Sequence, residues 1–122
     1  MKKFRSNCPL GRTLDILGDK WTLLVLRDIV AFGKTTFKEI SAMKEGVATN
    51  ILADRLHKLV EEGFITKTPS KENKKVFHYR PTKMSLDLVP AILQIREWSE
   101  KYLFKPKEKP AAIGLVKKLL NN

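Results

Sequence analysis

The fold of this chain is decided by residues 36–83, which read TFKEISAMKEGVATNILADRLHKLVEEGFITKTPSKENKKVFHYRPTK. The T-x-x-E pattern from Thr36 to Glu39 is a capping box, in which each side chain satisfies a free backbone N–H of a helix's first turn. Gly46 predicts a turn, and residues 49–62 repeat apolar side chains at helical spacing. A β-hairpin follows. This order predicts a winged helix-turn-helix, a mainly α fold with a small β-hairpin wing.

The predicted hairpin is strongly cationic. Its strands, residues 64–68 and 76–80, are rich in β-branched and aromatic residues, and residues 70–75 form the loop between them. Glu72 is the single acid within residues 66–83. Ordinary surfaces intersperse both signs of charge, so this balance favours binding to a polyanion. Six cations lie in the hairpin segment: Lys67, Lys71, Lys74, Lys75, Arg80 and Lys83.

Composition supports the same partner class. The 122 residues suffice for one domain with a modest core, and the net charge is +11. We expect duplex DNA as the partner, with RNA second and an anionic membrane surface third. There is no apolar run long enough to span a bilayer and no recognisable signal peptide, which predicts a cytoplasmic protein. The single cysteine, Cys8, excludes an intramolecular disulfide and fits a reducing compartment.

Two helices are predicted before the motif. The first covers residues 10–17 and ends at Gly18, a residue type favoured just past a helix end. Asp19 suits the N-cap of the second helix, which we place at residues 20–32. That helix is apolar nearly all round, so it should form the buried centre of the domain.

A long helix is predicted after the hairpin, from residue 83 to residue 103, with Thr82 as its cap. Pro90 implies a kink or a late start. The helix has two apolar stripes, one for its own domain and one for a second copy of the chain. We therefore expect a homodimer. The predicted interface consists of Leu88, Ile92, Ile95, Trp98 and Tyr102.

The predicted domain organisation is simple. Residues 1–104 form one DNA-binding and dimerisation domain. Residues 105–122 form a basic tail, in which residues 111–120 have the pattern of one short amphipathic helix.

Several segments carry a family resemblance: CPL at residues 8–10, LDILGDKWTLLVLRD at 14–28, FKEI at 37–40, LADRLHKL at 52–59 and EGFI at 62–65, with Tyr79, Thr82, Pro90 and Trp98. Together they resemble the HxlR family of bacterial regulators, which are dimeric winged helix-turn-helix proteins distantly related to the MarR family. The resemblance covers roughly residues 8–103. It implies a transcription regulator that binds DNA as a dimer.

The chain departs from the family pattern at three places. Ala48 stands where the family often has a capping residue before the recognition helix. Residues 71–75 form a charged wing where family members often have a proline-rich one, which should strengthen contact with phosphate. Pro81 replaces an apolar residue.

Cys8 is a candidate redox sensor by resemblance. It matches an N-terminal Cys-Pro that senses oxidants or electrophiles in several family members. Across a dimer, two copies could form an intermolecular disulfide. The alternative is that Cys8 is a small, half-buried apolar residue.

The second helix of the motif is the candidate recognition helix. Its outer face carries Asn50, Asp54 and His57, which could contact base edges. The alternative is a solvated helix face. Arg55 matches an arginine of the family and is predicted to contact phosphate or base. The wing lysines should contact phosphate and so contribute affinity more than sequence preference. The predicted DNA-contacting residues are Thr36, Thr49, Asn50, Asp54, Arg55, His57, Lys58, Lys71, Lys74 and Lys75.

The sequence therefore predicts a homodimeric regulator that binds an inverted-repeat operator. A sequence-tolerant architectural DNA binder and a winged-helix protein–protein adaptor are the alternatives. Two histidines, one cysteine and no clustered carboxylates give no metal set and no nucleophile with its base, so we expect no enzyme, metal or cofactor. A redox or small-molecule effector remains an open candidate partner.

Overall fold

The computed structural model describes residues 3–110, which form six helices and a two-stranded antiparallel sheet. The helices are α1 (Pro9–Leu17), α2 (Thr22–Val30), α3 (Phe37–Ser41), α4 (Thr49–Glu61), α5 (Lys83–Leu86) and α6 (Val89–Tyr102), and the strands are β1 (Ile65–Pro69) and β2 (Phe77–Pro81). This is the order of a winged helix-turn-helix. The amphipathic segment predicted at residues 111–120 lies outside the described residues.

The central helix is α2, as its apolar sequence predicts. Val25, Leu26 and Ile29 are buried, and the helix contacts α3, α4, α5 and β2. The predicted N-cap, Asp19, is wrong: Trp21 is the N-cap, and α2 starts two residues later than predicted. Asp19 Oδ2 instead accepts hydrogen bonds from the backbone N–H groups of Trp21 and Thr22. Residues 20–21 consequently form a turn, and Asp19 satisfies the free donors that it leaves.

The helix-turn-helix packs its inner surface on α2. Ile40 of α3 and Leu52, Leu56 and Leu59 of α4 are fully buried in the main core. The turn between α3 and α4 contains Gly46 with φ 74°, a left-handed conformation that glycine adopts at no steric cost. The motif is therefore fixed to the domain through one apolar face, and its other face is left to solvent.

The hairpin pairs Lys67 with Tyr79 and Thr66 with Arg80. Both strands lie one residue later than predicted, so residues 70–76 connect them. Side chains alternate between two faces, and the inner face brings Ile65 and Tyr79 into the core. In addition, the Tyr79 N–H donates to the Thr35 carbonyl at 2.7 Å, which ties the hairpin to the start of α3.

The prediction of a single long helix after the hairpin is wrong, because two helices, α5 and α6, occupy this region. Pro90 explains the break. It has no N–H for a helical bond, and its ring would collide with the carbonyl of Leu86, four residues earlier, if α5 continued. Instead α6 starts late, with Pro90 in its first turn. Val89 and Leu93 pack on the end of α2, next to Val30.

Candidate nucleic-acid interface

The helix-turn-helix begins with the predicted capping box. The Thr36 hydroxyl accepts from the Glu39 N–H at 3.2 Å, and the Glu39 carboxylate accepts from the backbone N–H groups of Thr35 and Thr36 at 3.0 Å. Those backbone bonds are the main cause that lowers the pKa of Glu39. Thr36 is thus occupied in ordering α3, although it was also predicted to contact DNA.

The outer face of α4 is polar and exposed. Asn50, Asp54, His57 and Lys58 all lie on it, with Thr49 at its first position. Lys58 contacts Asp54 at 3.3 Å and is the main cause that lowers the Asp54 pKa, and His57 pairs with Glu61 one turn later. These are surface pairs, which dissociate at little free-energy cost. The side chains are consequently available to a partner that approaches α4.

Arg55 lies on the flank of α4 and has a partner that the sequence did not reveal. Its Nε donates to Asp19 Oδ2 at 2.8 Å, and its guanidinium also contacts Asp54. The bond to Asp19 is the main cause that raises the Arg55 pKa. With only 21% of its side chain exposed, Arg55 connects α4 to the corner between α1 and α2. This geometry favours a positioning role, and its contact with DNA stays a prediction.

Ala48 is the N-cap of α4 and offers no side-chain hydrogen bond. The backbone N–H groups of the first turn of α4 are therefore left without a side-chain acceptor from the cap. The departure from the family pattern at residue 48 is thus visible in the structure, and α4 still begins at Thr49.

The wing loop is exposed and cationic. Lys71, Lys74 and Lys75 all face solvent. The single acid of the loop, Glu72, accepts a bond from the Ser70 hydroxyl at 2.8 Å, the main cause that lowers its pKa. Asn73 Oδ1 accepts from the Lys75 N–H at 3.0 Å and closes the turn. The acid is held within the loop, so the lysines dominate the outward charge.

A second charge cluster connects the helix-turn-helix to α2. Asp28 is fully buried and bonds Arg27 and Lys34, each at 2.8 Å. Arg27 also holds Glu45, in the α3–α4 turn, through two bonds of 2.8 and 2.9 Å. The cluster therefore ties the turn of the helix-turn-helix to α2. Sequence reasoning missed it because its members are up to 18 residues apart.

Cys8 is exposed, so the alternative of a half-buried apolar residue is wrong. It is the N-cap of α1, and its Sγ accepts from the Gly11 N–H at 3.4 Å. The preceding residues fold back on α1: Arg5 pairs with Asp15, and Arg12 Nε donates to the Ser6 carbonyl at 2.9 Å. The thiol is therefore ordered and accessible to reagents.

The predicted dimer stripe is only partly unoccupied. Leu88 packs against the main core and Ile92 is half-buried, whereas Ile95, Trp98 and Tyr102 are 56 to 61% exposed. Two further apolar side chains, Leu10 and Leu14, are exposed on α1. Exposed apolar surface of this kind on α6 and α1 is typical of an interaction face. Within residues 3–110, no helix is long and apolar enough to cross a membrane.

The known sequences that resemble this chain are helix-turn-helix regulators. The profile of the HxlR-like helix-turn-helix matches residues 16–107. The HTH-type transcriptional regulator Rv3095 of Mycobacterium tuberculosis is 35% identical over 101 residues, which cover 83% of this chain and 63% of that protein. The chain thus spans less than two thirds of the length of this relative.

Solved structures agree in fold. PA1607, a candidate transcription factor, superposes with a TM-score of 0.78 at 40% identity, over 88% of this chain and 73% of that one. The reduced form of HypR, described as a redox regulator, gives 0.66 at 26% identity, over 77% of this chain and 92% of that one. The oxidised form of HypR matches as well.

Proposed function

The chain belongs to the HxlR family of helix-turn-helix transcriptional regulators, and from this premise we propose that it binds an inverted-repeat operator as a homodimer. The family consists of DNA-binding regulators and not of enzymes. One observation carries the proposal: the exposed polar face of α4 and the cationic wing belong to the same domain and are ordered by the same core. The proposed location is the cytoplasm, since a transcription regulator acts where the DNA is.

In this proposal α4 enters the major groove and the wing contacts the backbone beside it. Asn50 is suited to a bidentate contact with adenine, and Asp54 accepts from cytosine. Lys71, Lys74 and Lys75 neutralise phosphates, so they contribute affinity to every sequence. Arg55 keeps α4 in place through Asp19 and contacts the operator only if that bond is exchanged for a phosphate or a base.

A second copy is proposed to cover the exposed apolar side chains of α6. Ile95, Trp98 and Tyr102 are exposed at helical spacing on α6, and the ring centroids of Trp98 and Tyr102 are 5.7 Å apart. A two-fold axis would duplicate α4 and place two half-sites roughly 10 bp apart. Affinity for the operator would then depend on the dimer.

We propose that oxidation of Cys8 regulates binding to the operator. HypR, at 26% identity, is described as a redox regulator with reduced and oxidised forms. Here Cys8 is exposed at the start of α1, close in sequence to the exposed Leu10 and Leu14. Two Cys8 thiols from a dimer would lose two protons and two electrons to an oxidant such as diamide, which becomes the hydrazine, and form one S–S bond.

The two alternative functions, a protein–protein adaptor and an architectural DNA binder, explain fewer features of the surface. A protein–protein adaptor needs an apolar patch on the outer face of α4, whereas that face carries Asn50, Asp54 and His57. An architectural DNA binder fits the net charge of +11, but it leaves the polar face of α4 without a role.

Selection of bound fragments from genomic DNA tests the proposal. We expect recovery of a short inverted repeat, and binding to it at least a thousandfold tighter than to random duplex at the same salt concentration. Equal affinity for all duplexes would establish the architectural alternative. Absence of binding to any duplex, with the protein folded by circular dichroism, would exclude both.

A further inference from the structure

Lys67 and Phe77 form a pair on the inner face of the wing. Lys67 lies opposite Tyr79 in the strand register, and Phe77 is two residues before Tyr79, on the same side of the sheet. The Lys67 ammonium is 4.4 Å from the centroid of the Phe77 ring and 6.0 Å from that of Tyr79. Tyr79 is buried, but Phe77 remains 38% exposed. An ammonium at this distance is attracted to the ring face.

The pair borders the cleft between the wing and the helix-turn-helix. A cavity of about 170 Å³ is lined there by Lys67 and Tyr79 from the hairpin and by His57 from α4, with Phe37 of α3 beside them. A wider, open groove of about 700 Å³ continues between α3 and β2. Phe37, Val76, Phe77 and Tyr79 line it, with Lys38 and Lys75 as its charged members.

A DNA backbone has the shape and chemistry for this cleft. When a recognition helix lies in the major groove and a wing reaches the neighbouring minor groove, the strand between the two grooves passes between helix and wing. Its phosphates need cationic donors, and its deoxyribose rings present apolar surface. Lysine donors beside exposed phenylalanine and valine side chains match both parts.

We propose that Lys67 is a phosphate-binding residue for the strand between α4 and the wing, and that Phe77 is the positioning residue that holds its ammonium there. This inference rests on the proposed DNA-binding function and adds a contact to it. A free lysine side chain samples many rotamers and loses that freedom on binding. Stacking on Phe77 restricts Lys67 before DNA arrives, so less freedom is lost.

Three variants of the full chain test the pair against the selected operator and a random duplex. Lys67→Gln removes the charge, and we expect about tenfold weaker binding to both duplexes, with a slope of log K against log salt that is shallower by about 0.9. Phe77→Leu keeps the charge but not the ring. It should weaken binding about two- to fivefold and leave the salt slope unchanged. Lys67→Arg should restore most of the wild-type affinity.

Arg80→Gln is the matched control. Arg80 is on the outer face of the same hairpin, bonded to Thr68 at 3.1 Å, so its loss should change affinity less than that of Lys67. The proposal is overturned if Lys67→Gln and Arg80→Gln weaken binding equally, or if Lys67→Gln binds as tightly as the wild type. In either case the wild-type protein still binds DNA, so the proposed DNA-binding function stands. If Phe77→Leu binds both duplexes as tightly as the wild type, Phe77 does not position Lys67. Failure of the wild type to bind any duplex would instead be a failure of the proposed function itself.

Discussion

The carboxylate of Asp19 bonds Arg55 at 2.8 Å and thereby joins the corner between α1 and α2 to α4. The same carboxylate accepts from the Trp21 and Thr22 N–H groups at 3.0 and 3.2 Å. Partial burial raises the Asp19 pKa, but hydrogen bonds from Thr22, Arg55 and Trp21 outweigh it and hold that pKa well below its usual range. One side chain therefore satisfies two N–H groups at the start of α2 and fixes α4.

Loss of either partner should destabilise the domain. Asp19→Ala removes the acceptor of the Trp21 and Thr22 N–H groups and the bond to Arg55, and we expect a loss of about 1–3 kcal/mol in the free energy of unfolding. Arg55→Ala should cost about 1 kcal/mol. The double variant should cost less than the sum, with a coupling of at least about 0.5 kcal/mol in urea denaturation. If Arg55→Ala loses operator binding with unchanged stability, Arg55 is a DNA contact and not a positioning residue.

Acid should weaken the anchor of the α3–α4 turn. The bonds from Arg27 lower the pKa of Glu45 from 4.5 to about 2. A carboxyl whose pKa is lower in the folded state stabilises the fold above its unfolded pKa, and that contribution is lost as the pH falls towards the folded value. The window is therefore pH 4.5 to about 2. Glu45 is partly exposed, so solvent screening limits the effect to about 1 kcal/mol.

Glu45→Gln isolates this contribution. Urea denaturation should show the variant less stable than wild type at pH 6 and nearly equal to it at pH 2. Glu97→Gln, which changes an exposed carboxylate of α6 outside the cluster, is the control and should follow the wild type. A constant difference between Glu45→Gln and wild type across this range would show that the ion pair is not the cause.

A charge on the exposed face of α6 should produce monomers. Ile95→Glu would bury a carboxylate in the proposed interface, which we expect to raise the dimer dissociation constant about a hundredfold or more. Gln94→Glu places the same charge on a neighbouring, polar position and should leave the dimer intact. Sedimentation at micromolar concentration reads out both variants. A monomeric wild type would contradict the homodimer.

Oxidation should act through Cys8 alone, since the chain has no other cysteine. Diamide should release wild-type protein from the operator and produce a crosslinked dimer on a non-reducing gel. Cys8→Ser removes the thiol without disturbing the start of α1, because serine is a favoured N-cap, and it is therefore the control. This variant should bind DNA and ignore diamide. Equal release of the two proteins would exclude a sensor at Cys8, and release without a crosslink would exclude the disulfide.

Local signals predicted most of the fold. The capping box at Thr36 and the turn at Gly46 depend on neighbours within a few residues, so the sequence displays them directly. The polar face of α4 follows from helical spacing in the same way. The late start that Pro90 implies is confirmed by α6, whereas the prediction of one long helix missed the separation of α5 from α6.

Contacts between distant segments were not predicted. Asp19 and Arg55 are 36 residues apart, and no periodicity relates them. On sequence alone, Arg55 is a cation on a helix flank with no evident partner, whereas in the structure the carboxylate of Asp19, just before α2, holds it. The Lys67 contact with Phe77 depends on strand register, which the composition of the two strands does not assign. Charge composition indicated the partner class, whereas the placement of each charge required the tertiary structure.

The wing and α4 should fail in different ways when altered. Lys74→Ala with Lys75→Ala removes two exposed charges, and binding should weaken about equally on all duplexes, with a salt slope shallower by roughly one unit per lost phosphate contact. Asn50→Ala should instead cost about 1–3 kcal/mol on the preferred operator and little on random DNA. Competition binding at two salt concentrations separates the two patterns. If Asn50→Ala leaves both affinities unchanged in a folded protein, the outer face of α4 does not contact bases, and the adaptor becomes the better explanation of this surface.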